Sequence, residues 1–280
     1  MRVKQKLNNN AVLVYDENDN LEKIAIGKGL GFRARIYECI DSSQVDKIYT
    51  VEDKVTYKKF AQILKTIPED YITLSEEIIS YTEKTLGVTL NAHVYISLTD
   101  HIAFAIERIK VNIPIHNKLL NEIKILYKEE YAIGLWAVKL IEERLQIDFP
   151  EDEAGFIALH IHTIKLKQGH VADSLQTATI IKSVVELITK DLNVEIDDQT
   201  IAYHRLITHL QFALQRAIRD HSLRAIDPDI FEMIKQKYVK EYCCAIKIGL
   251  YVRKEYGLIL PESELVYMTL HIKTISSHTD

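Results

Sequence analysis

The sequence writes the same helical pattern twice. Residues 149–165 read FPEDEAGFIALHIHTIK, and residues 260–276 read LPESELVYMTLHIKTIS. When the two stretches are aligned without a gap, they share a proline, a glutamate and a histidine: Pro150 with Pro261, Glu153 with Glu264, and His160 with His271. A unit of this size that occurs twice predicts two copies of one domain in tandem.

A second match lies upstream, separated from the first by a small change in length. LTDHIAFAIER, residues 98–108, aligns with LITHLQFALQR, residues 206–216. The positions shared here are a histidine, a phenylalanine and an arginine: His101 with His209, Phe104 with Phe212, and Arg108 with Arg216. In both copies apolar residues recur at three- and four-residue spacing, the period of an amphipathic helix, and one such run extends unbroken through 117–145. We therefore predict two all-helical domains, at residues 66–170 and 174–280.

The N-terminal segment, residues 1–55, has a different pattern, which indicates a small all-β domain. Four short runs rich in β-branched and aromatic residues predict strands at 11–16, 21–27, 34–40 and 46–51. Between the second and third runs lies GKGLGF, residues 27–32. A four-stranded unit this small buries little surface, so we expect it to dimerise. The predicted fold class is multidomain: a four-stranded β domain at residues 1–55, followed by two helical bundles.

The composition narrows the class of protein. The chain carries a net charge of −5, with a modest basic excess within residues 1–35 that permits nucleic-acid binding there. No apolar run approaches the roughly 20 residues that span a bilayer, so we expect no membrane insertion. The start of the chain has no apolar signal core, and the three cysteines form no metal-binding pattern. We expect a cytoplasmic protein without a metal.

The paired histidines are the candidate functional residues: His101, His160, His209 and His271. Such histidines can simply pack in a core, but both sites carry histidine in both copies. A metal site is weaker, because His160 and His162 point roughly 200° apart on a helix and Lys273 replaces His162 in the second copy. Acid–base catalysis lacks a repeated partner, because Thr208 replaces Asp100. No nucleophile elbow, phosphate loop or carboxylate pair is visible, so we expect no enzyme.

Phosphorylation of histidine accounts for a repeated histidine on an apolar helix face. Imidazole is nucleophilic near neutral pH, and a phosphoryl group would add a charge approaching −2. On an apolar face that charge acts as a switch, which either repels a partner or recruits arginine and lysine. Arg108 and Arg216 lie two helical turns beyond His101 and His209.

Taken together, these motifs resemble a known family. LNNNAVLV and GKGLGF in the β domain, and SLTDHIAFAIER, GFIALHI, THLQFALQR and LVYMTLHI in the helical copies, resemble the transcriptional antiterminators of bacterial sugar operons. These consist of a co-antiterminator RNA-binding domain and two regulation domains of the phosphotransferase system (PTS). The resemblance covers essentially the whole chain.

The resemblance implies a function without catalysis or cofactor. The N-terminal domain, as a homodimer, would clamp an antiterminator hairpin in the leader mRNA and prevent a terminator from forming. The sugar-specific PTS permease would phosphorylate the first regulation domain, at His101 and His160, and inactivate the protein. The phosphocarrier protein HPr would phosphorylate the second, at His209 and His271, and in many members activate it.

The resemblance also implies which residues contact RNA. Asn10 would supply hydrogen bonds, Lys28 phosphate contacts, Gly27 and Gly29 close backbone approach, and Phe32 base stacking. The further candidates are Lys4 and Asn8. Two alternatives stay open from the residues themselves: the glycines form a simple tight turn, and Phe32 belongs to a core. The family usually places a basic residue at position 5, where this chain has Gln5.

Three other classes of protein compete with this interpretation. A PTS-regulated activator that acts on DNA would need a helix-turn-helix in place of the β domain. A phosphotransfer enzyme would need a second substrate site. A structural scaffold would leave the glycine-rich β domain unexplained.

Overall fold

The computed structural model describes residues 1–50, 54–163, 171–218 and 228–277. Its N-terminal part is a four-stranded antiparallel sheet in the order β1-β2-β3-β4. The strands are β1 (Arg2–Lys6), β2 (Ala11–Asp16), β3 (Leu21–Ile26) and β4 (Lys47–Thr50). The four-stranded β domain predicted from the sequence is confirmed.

The small core of this domain forms around the sheet and one helical turn, α1 (Leu30–Arg33). Its buried side chains come from three strands and that turn: Val3, Val12, Val14, Ala25 and Leu30. Gly31 sits against the loop before β2, because a Cβ there would lie 2.0 Å from the carbonyl oxygen of Asn8. The chain can therefore bring α1 this close to the loop only with glycine at that position.

One predicted strand is wrong and one strand was missed. Residues 34–40 do not form a strand, and Tyr37 has a positive φ of 73°. The segment runs beside β1, where the Tyr37 amide donates to the Val3 carbonyl and the Val3 amide donates to the Glu38 carbonyl, but it makes only one isolated bridge, from Cys39 to Arg2. The apolar side chains that suggested a strand, Ile36 and Tyr37, are exposed. The strand that was missed is β1, at the edge of the sheet. Its alternating charged residues hide the apolar pattern by which a strand is predicted.

The rest of the described chain is helical. A 3-10 turn (Ser42–Gln44) precedes β4. The α-helices that follow are α2 (Lys54–Thr66), α3 (Glu69–Leu86), α4 (Ala92–Lys110), α5 (Leu120–Leu126), α6 (Lys128–Leu145), α7 (Asp152–His162), α8 (Val171–Leu192), α9 (Ile201–Ile218), α10 (Pro228–Lys237), α11 (Val239–Tyr256) and α12 (Glu262–Ser276). The helical character predicted for both copies is confirmed.

Local signals explain where several helices begin and end. The side chain of Asn91 accepts a hydrogen bond from the Val94 amide and caps the start of α4. Gly87 and Gly257 end α3 and α11 in the left-handed conformation, with φ of 66° and 70°. The run expected to be unbroken through 117–145 is interrupted at Tyr127, where φ is −126° and ψ is 50°.

The chain divides into two compact units whose boundary does not follow the repeat. The first comprises residues 1–116 and the stretch that begins at Glu129, and the second comprises Asn117–Lys128 with the described residues from 171 onward. Helix α5 therefore packs on α8 and α9, where Ile125 and Leu126 join the core of the second unit. The predicted domain ends at 170 and 280 lie outside the described residues.

None of the helices described is both long and apolar enough to cross a bilayer. Within the same residues, no group of three or more histidine, cysteine, aspartate or glutamate side chains is placed to hold a metal ion.

Candidate functional site

The four candidate histidines lie in two pairs, one in each copy. His101 on α4 and His160 on α7 stack with ring centroids 4.8 Å apart and planes at 28°. His209 on α9 and His271 on α12 have centroids 4.7 Å apart and planes at 30°. The two helices that carry each pair are in contact, α4 with α7 and α9 with α12. Histidines that are far apart in the chain thus form one site, built twice.

A buried carboxylate lies beside each pair. Glu153 and Glu264, on the same helices as the second histidines, are fully buried. Arg216 donates to both carboxylate oxygens of Glu264, from Nε at 2.6 Å and from a terminal nitrogen at 2.8 Å, and Arg108 pairs with Glu153 in the first copy. The paired charges hold the two helices of each site together, since a buried charge needs a partner.

The same carboxylates approach the first histidine of each pair. His101 Nε2 lies 3.3 Å from Oε2 of Glu153, and His209 Nε2 lies 3.5 Å from Oε2 of Glu264. Each carboxylate is thus shared between an arginine and an imidazole. Both glutamates were absent from the predicted site residues, although their identity in the two copies was an available signal.

Three of the four histidines are held in the neutral form. Burial lowers the pKa of His160 to about 3, with a smaller contribution from His101. Burial, His271 and Arg216 lower the pKa of His209 to about 4. The pKa of His271 is lowered by burial and by the charge of Arg205. A neutral imidazole keeps an unprotonated nitrogen at physiological pH, which is the form that attacks a phosphoryl group.

The position of His162 has a glutamate partner in both copies of the repeat. Its Nδ1 lies 3.0 Å from Oε1 of Glu130, and Lys273 at the equivalent position lies 3.5 Å from Glu241. A histidine in one copy and a lysine in the other thus contact a glutamate at equivalent positions. Asp100, the possible acid–base partner that Thr208 replaces in the second copy, is exposed.

The β domain presents a second candidate surface, formed by Lys28 and Phe32. Phe32 is 79% exposed, which excludes the alternative that it belongs to a core. Lys28, four residues earlier in the chain, is also exposed, and its backbone carbonyl accepts a hydrogen bond of 2.6 Å from Arg33. Arg33 and Tyr37, the latter 75% exposed, are a further cation and a further aromatic ring that were not among the predicted RNA-binding residues. The available signal was the run FRARIY itself.

The asparagines before β2 are engaged within the protein. Asn8 donates to the Leu64 carbonyl at 3.1 Å and accepts from the Asn10 amide at 2.9 Å. The side-chain amides of Asn9 and Asn10 both donate to Glu69, at 2.7 and 2.9 Å. The oxygen of the Asn10 side chain accepts from the Gly29 amide at 2.6 Å. Asn10 therefore connects the turn at Gly29 to the start of α3.

The remaining candidates for RNA binding, Gly27, Gly29 and Lys4, have contacts or backbone conformations that belong to the local fold. A Cβ on Gly27 would lie 2.1 Å from the carbonyl oxygen of Gln44, and Gly29 has a φ of 66°. Both glycines are required by the turn, as the simpler alternative expected, and whether they also contact RNA stays a prediction. Lys4 forms an exposed ion pair with Glu22.

Comparisons with known proteins agree with this domain order. Residues 1–58 match the CAT RNA binding domain, and residues 76–164 and 182–275 match the PRD domain. The transcription antiterminator LicT of Bacillus subtilis (strain 168) is 35% identical over 275 residues, covering 98% of this chain and 99% of LicT. A β-glucoside operon antiterminator of Dickeya chrysanthemi is 35% identical over 277 residues, covering 99% and 97%.

A solved structure supports the same assignment. The crystal structure of GlcT CAT-PRDI matches with a TM-score of 0.54 and 36% sequence identity, covering 58% of this chain and 96% of that one. The β domain, the two helical copies and the similarity over the full chain agree: this protein belongs to the family of transcription antiterminators that combine a CAT RNA-binding domain with two PRD domains.

Proposed function

We propose that this protein binds a hairpin in the leader mRNA of a sugar-utilisation operon, prevents a terminator from forming, and is controlled by PTS-dependent phosphorylation of its histidines. The observation that carries the proposal is the presence, in one chain, of an RNA-binding domain and two copies of a closely packed histidine pair beside a buried carboxylate. It acts in the cytoplasm as a homodimer, without catalysing a reaction and without a cofactor.

The RNA contact is supported by the exposed groups of the β domain. An aromatic ring open to solvent can stack on an unpaired base, and neighbouring cations can contact phosphates. Phe32, Lys28 and Arg33 supply these two kinds of group close together in the chain. The N-terminal domain lacks the helix-turn-helix that a DNA-binding activator would need. Residues 1–50 contain one short α-helix, α1, and no pair of helices that could enter a major groove.

The regulatory step is a transfer of a phosphoryl group to an imidazole. The lone pair of an unprotonated ring nitrogen forms a new N–P bond, while the bond between phosphorus and the donor atom breaks and its electrons return to the donor. Nothing is oxidised or reduced. HPr is the donor for His209 and His271, and the sugar-specific permease is the donor for His101 and His160.

RNA specificity is tested with the full-length protein. A gel shift compares a terminator-overlapping leader hairpin with duplex DNA of matched length across a range of salt concentrations. We expect hairpin-selective binding that weakens as salt rises, since released counterions contribute to phosphate contacts. Equal affinity for hairpin and duplex would overturn the proposed RNA function.

Regulation is tested with aspartate as a substitute for phosphohistidine. His209→Asp or His271→Asp is expected to tighten the dimer, measured by analytical ultracentrifugation. His101→Asp is expected to weaken binding of the leader hairpin by the full-length protein. If these substitutions changed neither the dimer constant nor the RNA affinity, control by histidine phosphorylation would be rejected.

A further inference from the structure

Both sites contain the same groups: two imidazoles, a buried carboxylate and an arginine paired with it. Any difference in how the two sites respond to phosphorylation must therefore come from other residues. Arg108 and Arg216 cannot supply that difference, because each is already paired with its glutamate. The helices α4 and α9 differ on the face that meets the second histidine. Position 97 holds serine and the equivalent position 205 holds arginine.

The structure shows what position 97 touches. Ser97, one helical turn before His101, places its hydroxyl 3.3 Å from Nδ1 of His160. The side chain at this position therefore reaches the second histidine of its pair. In the second copy the arginine at the equivalent position stands beside His271, and its charge contributes to lowering the pKa of that imidazole.

Arg205 also lines the space around the second pair. One cavity of about 360 Å³ is lined by Arg205, His204, Thr208, His209 and His271 among others. An adjoining cavity of about 200 Å³ is lined by Arg205, Tyr267 and His271 among others. Arg205 is exposed and has no ion pair with any residue that the structure describes, so its guanidinium is available to a ligand in this space.

A second position, Asp100 in the first copy and Thr208 in the second, also makes the second site less negative than the first. Thr208 lines the larger cavity of the second copy, and Asp100 occupies the equivalent place in the first. At these two positions the first copy therefore carries one negative charge and the second carries one positive charge. A phosphoryl group adds a charge approaching −2, which the second site attracts and the first repels.

We propose that Arg205 is the phosphate-binding residue of the second regulatory domain and that it holds the phosphoryl group on His271, whereas Ser97 and Asp100 leave the first domain without such a cation. The inference rests on the proposed function, because it assumes that these histidines are phosphorylated. Arginine suits the role, since its planar guanidinium donates two parallel hydrogen bonds to phosphate oxygens. Phosphorylation then orders the second site and disrupts the first, so the same histidine pair gives opposite responses.

The test measures the equilibrium of phosphoryl transfer between phosphorylated HPr and His271 in the full-length protein, with phosphohistidine quantified by mass spectrometry. Arg205→Ser, which copies the first domain, is expected to lower the equilibrium constant for His271 by about tenfold, the effect of one lost charge-assisted hydrogen-bonded contact. Arg205→Lys is expected to restore part of it. Arg253→Ser removes an exposed arginine of the same unit that lines neither cavity, and serves as the matched control.

A second measurement is independent of HPr. If Arg205 holds the added charge, His271→Asp tightens the dimer only when Arg205 is present, and the double variant with Arg205→Ser loses most of that gain. In the reverse direction, Ser97→Arg with Asp100→Thr is expected to raise the fraction of phosphorylated His160 severalfold when the permease donates.

The outcomes separate the two proposals. If His271 is phosphorylated equally well in the wild type and in Arg205→Ser, and the double variant keeps the full gain in dimer stability, the role of Arg205 is overturned while phosphorylation stands. If no histidine of the wild-type chain accepts a phosphoryl group from either donor, the proposed regulation fails and this inference fails with it.

Discussion

The rings of His209 and His271 lie with their centroids 4.7 Å apart, although the two histidines belong to different helices, α9 and α12. His101 and His160 repeat this arrangement at 4.8 Å in the first copy. Burial lowers the pKa of His160 and of His209, and the neighbouring imidazole of the pair acts in the same direction. His160 and His209 are thus neutral near physiological pH, which is the state that phosphorylation needs.

The depressed pKa of His209 predicts a loss of stability in mild acid. The unfolded chain binds a proton at the ordinary pKa of 6.5, but the folded protein binds it only near 4. As the pH falls from about 6.5 to about 4, the unfolded state takes up more protons and the free energy of unfolding decreases. His209→Gln is expected to reduce this decrease by on the order of 2 kcal/mol.

Urea unfolding at several pH values, followed by far-UV circular dichroism, measures this effect. His93→Gln removes an exposed histidine from α4 and is the control. A His209→Gln variant that lost as much stability as the wild type between these pH values would contradict the prediction.

Removing the charge of Glu264 is expected to destabilise the second unit. Glu264→Gln keeps the shape of the side chain but leaves Arg216 without its carboxylate in a largely buried site, which costs about 3 kcal/mol. Glu262→Gln on the same helix is the matched control, because its carboxylate is 56% exposed and its loss should cost less than about 1 kcal/mol. Chemical denaturation measures both, and equal effects would argue against a buried pair.

Phe32→Ala is expected to weaken RNA binding without affecting the fold. The side chain is 79% exposed, so its removal costs little stability, whereas loss of one stacked base lowers the affinity for the leader hairpin by about 5- to 100-fold. Ile48→Ala on β4 removes another exposed apolar side chain and is the control. Fluorescence anisotropy with a labelled hairpin measures the affinity, and unchanged binding by Phe32→Ala would remove this residue from the RNA surface.

The contact between Glu69 and the asparagines predicts a gain of RNA affinity when it is removed. The amides of Asn9 and Asn10 must leave this carboxylate before they can contact RNA. Glu69→Ala is therefore expected to raise the affinity of the full-length protein for the hairpin about fivefold, the equivalent of one net hydrogen bond. Glu77→Ala on the same helix breaks an exposed pair with Arg144 and is the control. Weaker binding by Glu69→Ala would mean that the contact supports the RNA surface.

The sequence was sufficient where the information is local or repeated. The helical period placed the apolar faces, and the repeat identified the four histidines without any knowledge of their surroundings. It failed where charge hides a strand, as in β1, and where apolar residues lie exposed, as in Ile36 and Tyr37. Side-chain composition reports an average environment, so an edge strand and an exposed loop can both violate it.

The break at Tyr127 shows another limit. The helical period continues across this residue, yet α5 packs in the second unit while all but the first residue of α6 belongs to the first. A pattern of apolar residues shows that a helix must bury one face but does not show against which partner. That choice depends on which neighbouring helices complete a core.

By itself, the sequence determined the domain order, the two helical copies and the identity of the paired histidines, because helical period and repetition are properties of the chain. Only the tertiary structure decided that Glu153 and Glu264 are buried beside those rings and that positions 97 and 205 reach the second histidine of each pair. The period of a helix sets the direction in which a side chain points, whereas its neighbours are set by the packing of one helix on another.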